Sequence, residues 1–372
     1  MDTTLLDRFR DPRISHALVE RIDSLAKLLF GRYEGRPLKL MEVCGTHTVA
    51  IAKSGIRGIL PANIKLLSGP GCPVCVTANS DLDRIIACSR LPEVVVTTFG
   101  DMMRVPGSST SLQERRAKGA SIEVVYSPLD ALQLAIEHPE QQVIFIGVGF
   151  ETTTPLVAAT IKRAEAAGLD NFSVLAAHKR VTPALAALAN DPDLELDGFI
   201  LPGHVSTIIG SRPYDFLPES YGIPCVIAGF EPVDLLLALA ELLEQIASAE
   251  PKVEIAYGRA VHPEGNEQAC ELIDEVFLAA DTSWRGLGNI PDSGHLLKAS
   301  YAQFDAAQRF DIDSLAEPTQ EPKGCRCGEV LRGIMAPSDC PLFGKACTPA
   351  NPIGPCMVSS EGSCAAYYKY QI

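Results

Sequence analysis

QQVIFIGVGFETTTPLVAATIKRAEAAG, residues 141–168, sets a continuous apolar run, a polar turn and an alanine-rich helical segment in immediate succession. A run without polar alternation needs both faces buried, as in a strand inside a parallel sheet, and parallel pairing needs a crossover such as the helix that follows. The same unit recurs outward in both directions. LKLMEV, IKLLSG, VVVTTFG and SIEVVYS precede it as strands; FSVLAAH, DGFILPGH and PCVIAGF follow, interleaved with the helical TPALAALAND and PVDLLLALAELLEQIA. The expected fold class is α/β, with two similar parallel-sheet domains over residues 37–130 and 131–232. Residues 1–36 and 233–372 are expected to form a third region. Asp11-Pro12 opens its first helix as an N-cap followed by proline at the first helical position, with Ile14, Leu18, Ile22, Leu25 and Leu29 on one face. Residues 267–280 read as another helix, and TSWRGLGNIPDSGHLL, residues 282–297, reads as irregular.

Composition narrows the function. The chain of 372 residues is 47% hydrophobic and carries a formal charge of −14. Such an excess of acid opposes nucleic-acid binding, which depends on Lys and Arg displacing counterions. The most apolar long run, Val233 to Ile246, is interrupted by Asp234, Glu241 and Glu244, so no membrane span is expected. MDTTLLDRFRDPRISH has neither a basic leader nor a continuous apolar stretch, and a cytoplasmic protein is expected. In a reducing compartment the twelve cysteines read as metal ligands, reactive thiols or small packing residues.

Six of those cysteines, Cys325, Cys327, Cys340, Cys347, Cys356 and Cys364, fall in a tail rich in Pro and Gly. Cys325, Cys340, Cys347 and Cys364 are spaced C-x14-C-x6-C-x16-C, without the close knuckles of structural zinc. A four-iron cluster tolerates such irregular spacing where Pro and Gly let the chain wrap it, so a [4Fe–4S] site is expected. Cys44 ends the strand LKLMEV and begins a helix with Gly45, Thr46 and His47, a place where the helix N-terminus lowers a thiol pKa and the strand end faces a ligand cleft. Cys44 is expected to be a thiolate ligand or nucleophile, with His47 near enough to orient or deprotonate it; a buried cysteine with a capping Thr-His is the alternative. SGPGCPVC places Cys72 and Cys75 as a C-x-x-C at the next strand end, a dithiol redox signature. GVGFETT has the first two glycines of a dinucleotide fingerprint but Thr152 in place of the third, so Glu151 and its threonines read most simply as a polar helix start. His178 and His204 read as satisfied strand-end histidines, and Cys88, Cys225 and Cys270 as packing residues.

CGTHT, SGPGCPVC, GFETT, LPGHVS, GFEP and the tail cysteines together resemble the HypD family of [NiFe]-hydrogenase maturation factors, over nearly the whole chain. The resemblance implies two similar α/β domains and a third, loop-rich helical domain holding the [4Fe–4S] cluster. By motif, Cys325, Cys340, Cys347 and Cys364 would ligate the cluster, with Cys327 and Cys356 as a neighbouring redox pair. Cys44, flanked by Thr46 and His47, would bind the iron of a nascent Fe(CN)2CO centre, with Cys72 and Cys75 as the cleft dithiol. The implied partners are the small chaperone HypC and the cyanide donor HypE, itself supplied by HypF. Electrons are then expected to pass from the cluster through the two cysteine pairs toward Cys44. A cluster-dependent thiol–disulfide oxidoreductase acting on partner proteins is the competing expectation.

Overall fold

The computed structural model describes residues 9–370. The first half of the stretch read for a leader, residues 1–8, therefore lies outside the described residues. Eight expected strands are present, named here β1 (Leu38–Glu42), β2 (Ile64–Ser68), β3 (Val94–Thr98), β4 (Ile122–Val124), β5 (Gln142–Gly147), β6 (Phe172–Ala176), β7 (Gly198–Pro202) and β8 (Cys225–Ala228). Three more, β9 (Val253–Ile255), β10 (Phe277–Trp284) and β11 (Gly288–Leu297), follow them.

The strands sort differently from the expected division. One parallel sheet has the order β2-β1-β7-β8-β9 and a second the order β4-β3-β5-β6. The chain leaves the first sheet after β2, builds the second in full, and returns at β7, where Leu40 pairs with Gly198. The boundaries 37–130 and 131–232 thus each cut across a sheet. Hydrophobic rhythm identifies strands but carries no information about which strands pair. It does report position within a sheet: β3, β7 and β8 are buried along their whole length, whereas the edge strands β2, β4 and β9 are partly open.

The helix Pro12–Arg32 begins as expected, with Asp11 accepting from the Arg13 N–H. Leu18, Ile22, Ala26 and Leu29 are buried against the helix Pro232–Ser248 and the first sheet. Both helices, assigned from sequence to the third region, therefore belong to the first α/β layer. The helix expected over 267–280 stops at Val276, and the stretch expected to be irregular forms the antiparallel hairpin β10–β11. A bulge explains why it was missed. Asp281 stands opposite Pro291, Asp292 and Ser293 between the pairs Ala280–Gly294 and Thr282–Ile290, with Asp292 at φ 52°, so proline sits inside a strand without breaking the ladder. One apolar core then joins both sheets, the hairpin residues Trp284 and Ile290, and the tail, and it contains Cys72, Cys75, Cys327 and Cys356.

Candidate functional site

Adjacent parallel strands bring the first two cysteine motifs together. β1 and β2 run in register from Leu38–Ile64 to Glu42–Ser68, so the loops that leave their carboxyl ends are neighbours. Gly45 N–H donates to the Gly71 carbonyl at 2.9 Å. A Cβ at Gly71 would lie 2.1 Å from the Cys44 nitrogen, which only glycine permits. Beneath them Glu42 is fully buried; its carboxylate accepts from the Thr48 hydroxyl at 2.6 Å and from Cys44 N–H at 3.2 Å, and its carbonyl accepts from Gly69 N–H at 2.7 Å. One acid therefore ties both loops to β1. Burial pushes its carboxyl up to about 7, against the lowering effect of the Thr48 and Ser68 hydroxyls.

Cys44 is the N-cap residue of the helix Gly45–Ser54 and is buried. Desolvation pushes its thiol up to about 12, outweighing the backbone N–H groups of His47 and Thr46 that favour the thiolate. The expected lowering by the helix N-terminus is thus overridden in the free protein. The His47 ring does not serve the thiol either. Its Nε2 meets the Ala228 carbonyl at 3.2 Å, its plane packs on Phe230 at 4.9 Å, and burial pulls its pKa down to about 4. His204 of PGHVS stacks on the other contact of Phe230, at 4.0 Å, so CGTH, PGHVS and GFEP converge at the carboxyl ends of β1, β7 and β8. Cys72 and Cys75 form a disulfide at the start of the four-residue helix Pro73–Val76, with Cα atoms 5.2 Å apart.

The six tail cysteines line a single, partly open cavity. Cys327 and Cys356 lie with their sulfurs 2.7 Å apart, and Gly354 leaves room for Cys325, whose sulfur would be 2.8 Å from a Cβ there. Hydrogen bonds from Cys325 and Cys356, and then the Arg285 charge, hold the Cys327 thiol well below its usual range despite burial. The same contacts push Cys325 and Cys356 upward. Among the described residues no three His, Cys, Asp or Glu side chains converge on a point that would suit one metal ion.

The tail also touches the other thiols. The helix Pro355–Val358, which bears Cys356, packs on Pro73–Val76, and the helix Ser363–Tyr370 packs on Gly45–Ser54. Glu361, between them, accepts from the Thr46 hydroxyl at 2.6 Å and covers Gly45. Arg285 at the hairpin tip is a further bridge: its N–H donates to Val76 O at 2.9 Å, its Nε to Thr77 O at 3.2 Å, and its guanidinium bonds Asn79 and Glu321. Next to it Gly286 lies against the backbone of Gly328, one residue past Cys327. Glu42, Glu361 and Arg285 were not singled out from sequence. The lone acid in the apolar run LKLMEV was a usable signal for Glu42; nothing marked the other two.

Other expectations fared unevenly. Cys88 and Cys225 are fully buried packing residues, while Cys270 is only partly covered. His178 is buried, but neither ring nitrogen has a hydrogen-bond partner, so it is packed rather than satisfied. Glu151 does not cap the helix Thr154–Ala166 that follows it, whose N-cap Thr153 makes no side-chain capping bond; its Oε1 instead accepts from Val181 N–H at 2.9 Å, at the start of the helix Val181–Ala189. No helix among the described residues is long and apolar enough to cross a membrane.

Residues 14–371 match the HypD family, described as "Hydrogenase formation hypA family". The chain is 46% identical over 365 residues to the hydrogenase maturation factor HypD of Rhodobacter capsulatus, covering 97% of each. It is 44% identical over 367 residues to HypD of Escherichia coli K12, covering 98% of each. A hydrogenase expression/formation protein, HupD of Azotobacter chroococcum mcd 1, is 46% identical over 372 residues, covering 98% of this chain and 96% of that protein.

Proposed function

Because the chain belongs to the HypD family of hydrogenase maturation factors, whose work implies contact with other maturation proteins, we propose that it is a redox-active scaffold on which an Fe(CN)2CO centre is assembled. HypC is the proposed co-ligand protein and HypE the cyanide donor. The observation that supports this reading best is the meeting of three thiol-bearing segments in one core: the SGPGC loop against Cys44, and the Cys356 helix against the CPVC helix. A reducing cytoplasm, in which thiols stay available as ligands and redox groups, is the setting this reading requires.

Cys44 would hold the iron of the centre as its substrate. A soft thiolate suits low-spin iron(II) bearing strong-field cyanide and CO, and metal coordination removes the proton that burial otherwise keeps on the sulfur. Glu42 fixes the Cys44 backbone, and Glu361 holds Thr46 beside it. His47 stays neutral and, with Phe230 and His204, gives that side of the cleft an aromatic wall.

Cys325, Cys340, Cys347 and Cys364 fit a [4Fe–4S] cluster, since they line one cavity from separate turns; when bound it would supply one-electron reducing equivalents. The protein's own step is thiol–disulfide exchange. The Cys327 and Cys356 thiols reduce the Cys72–Cys75 disulfide, giving a Cys327–Cys356 disulfide and two thiols at 72 and 75, with two electrons and two protons transferred. Exchange needs local opening of the helices Pro73–Val76 and Pro355–Val358, each a single short turn held mainly by packing.

Mössbauer spectroscopy of isotopically enriched protein, isolated anaerobically with HypC, tests the reading. Low-spin iron(II) should accompany the cluster signal and vanish in Cys44→Ser while the cluster signal persists. Equal low-spin iron in Cys44→Ser would refute the assignment of Cys44 as its ligand.

A further inference from the structure

The GFETT motif takes no part in the thiol chemistry above, yet it builds one wall of a separate cavity. This partly open cavity lies beyond the carboxyl ends of β5 and β6, where open parallel sheets bind ligands. Glu151 follows β5, Arg180 and Thr182 follow β6, and His295 enters from β11. Ile209, Ile273 and Phe277 give it an apolar side.

Two buried side chains on its wall have unspent hydrogen-bonding capacity. Glu151 is 4% exposed; Oε1 accepts from Val181 N–H, but Oε2 has no partner. His295 is 6% exposed and its Nε2 has no partner. A buried polar atom without a partner is costly, so a ligand that pairs with these two atoms recovers that cost.

The charges around the cavity restrict that ligand. Asp274 opposes an anion, as does Glu151 once ionised above the value of about 7 to which burial pushes its carboxyl, whereas Arg180, whose Nη1 is spent on the Asp292 carbonyl at 2.8 Å, opposes a cation. His295 adds no charge, since burial and then Arg180 pull its pKa down to about 3. An uncharged head with both donors and an acceptor meets every wall. We propose that this cavity is a binding site for a small molecule with a primary carboxamide head, its N–H groups on Glu151 Oε2 and its carbonyl toward Thr182 or Arg180. Its apolar body would lie on Ile273 and Phe277.

Benzamide, benzoate and benzylamine share one shape and differ in charge, and they serve as probes of the full-length protein at about pH 8, where the Glu151 carboxyl is ionised. Calorimetry and saturation-transfer NMR should show saturable binding of benzamide, with the two charged analogues at least about tenfold weaker. Glu151→Gln keeps an oxygen for Val181 N–H but puts a donor where Oε2 was, and should weaken benzamide at least about tenfold without lowering the unfolding midpoint. Ala279→Trp, from an exposed strand position on the rim, should block binding and leaves the core untouched, so it covers the case in which Glu151→Gln misfolds. Absence of saturable benzamide binding, equal binding of a charged analogue, or native benzamide affinity in either folded variant overturns the proposal.

Discussion

Gly71→Ala is the perturbation most tightly constrained by the geometry of the thiol cleft. A methyl group at 71 would lie 2.1 Å from Cys44 N, 2.3 Å from Cys44 Cα and 2.5 Å from Val43 C. All three are backbone atoms, so no rotamer change relieves the clash. Reaching the 3.4 Å at which ordinary contact begins, from 2.1 Å, requires the loops to part by about 1.3 Å. That retreat breaks the Gly45–Gly71 hydrogen bond. Overpacking costs about 1–3 kcal/mol and the lost bond about 1 kcal/mol, so destabilisation of about 2–4 kcal/mol is expected. Urea unfolding of the purified protein measures it. Gly31→Ala, where nothing lies within 4 Å of the new methyl, is the control and should be neutral or stabilising by up to about 1 kcal/mol. The functional consequence should exceed the thermodynamic one: the folded Gly71→Ala protein, isolated with HypC, should retain several-fold less low-spin iron. Native stability together with native iron content would show that the loops do not depend on this contact.

Cys356→Ser and Cys327→Ser should each leave Cys72 and Cys75 as a disulfide on anaerobic isolation without added thiol reductant, read by differential alkylation and mass spectrometry; two free thiols there would exclude the exchange. Arg285→Ala removes a buried cation from Thr77, Asn79 and Glu321 and should cost about 3 kcal/mol in urea, with Arg285→Lys recovering little because lysine lacks the fork. His178 is held neutral, with its pKa pulled down to about 3 by burial first and by His295 and Lys179 after it. The unfolded chain therefore takes up a proton below about 6.5 that the native state refuses, and stability from this group is lost as pH falls. His178→Leu sacrifices no hydrogen bond and should flatten the acid limb by about 1.4 kcal/mol per pH unit, measured as urea midpoints between pH 6.5 and 4.

Strand identity was legible because LKLMEV, VVVTTFG and QVIFIG each report burial on both faces. Sheet membership was not, since the pairing of Leu40 with Gly198 depends on a return of the chain that no local pattern encodes. The hairpin β10–β11 was hidden for a local reason, as Pro291 and Asp292 look like loop residues and are absorbed by a bulge. The proximity of the Cys44 and Cys72–Cys75 loops was foreseeable from strand ends. Their electrostatics were not. A helix start predicts a low pKa for Cys44, but burial outweighs it, and burial depends on the tail folding back over the cleft. Glu361 and Arg285 reach the cleft from distant sequence through that same folding back, so no spacing rule reveals them.

Cys44 is the proposed seat of an iron bearing cyanide and CO. Infrared spectroscopy of the full-length protein, isolated anaerobically with HypC, tests it most directly. Bands in the cyanide and CO stretching region should be present in the wild type and in Cys88→Ser, and absent from Cys44→Ser. Unchanged bands in folded Cys44→Ser, or none in a HypC-bound wild-type preparation, would contradict it.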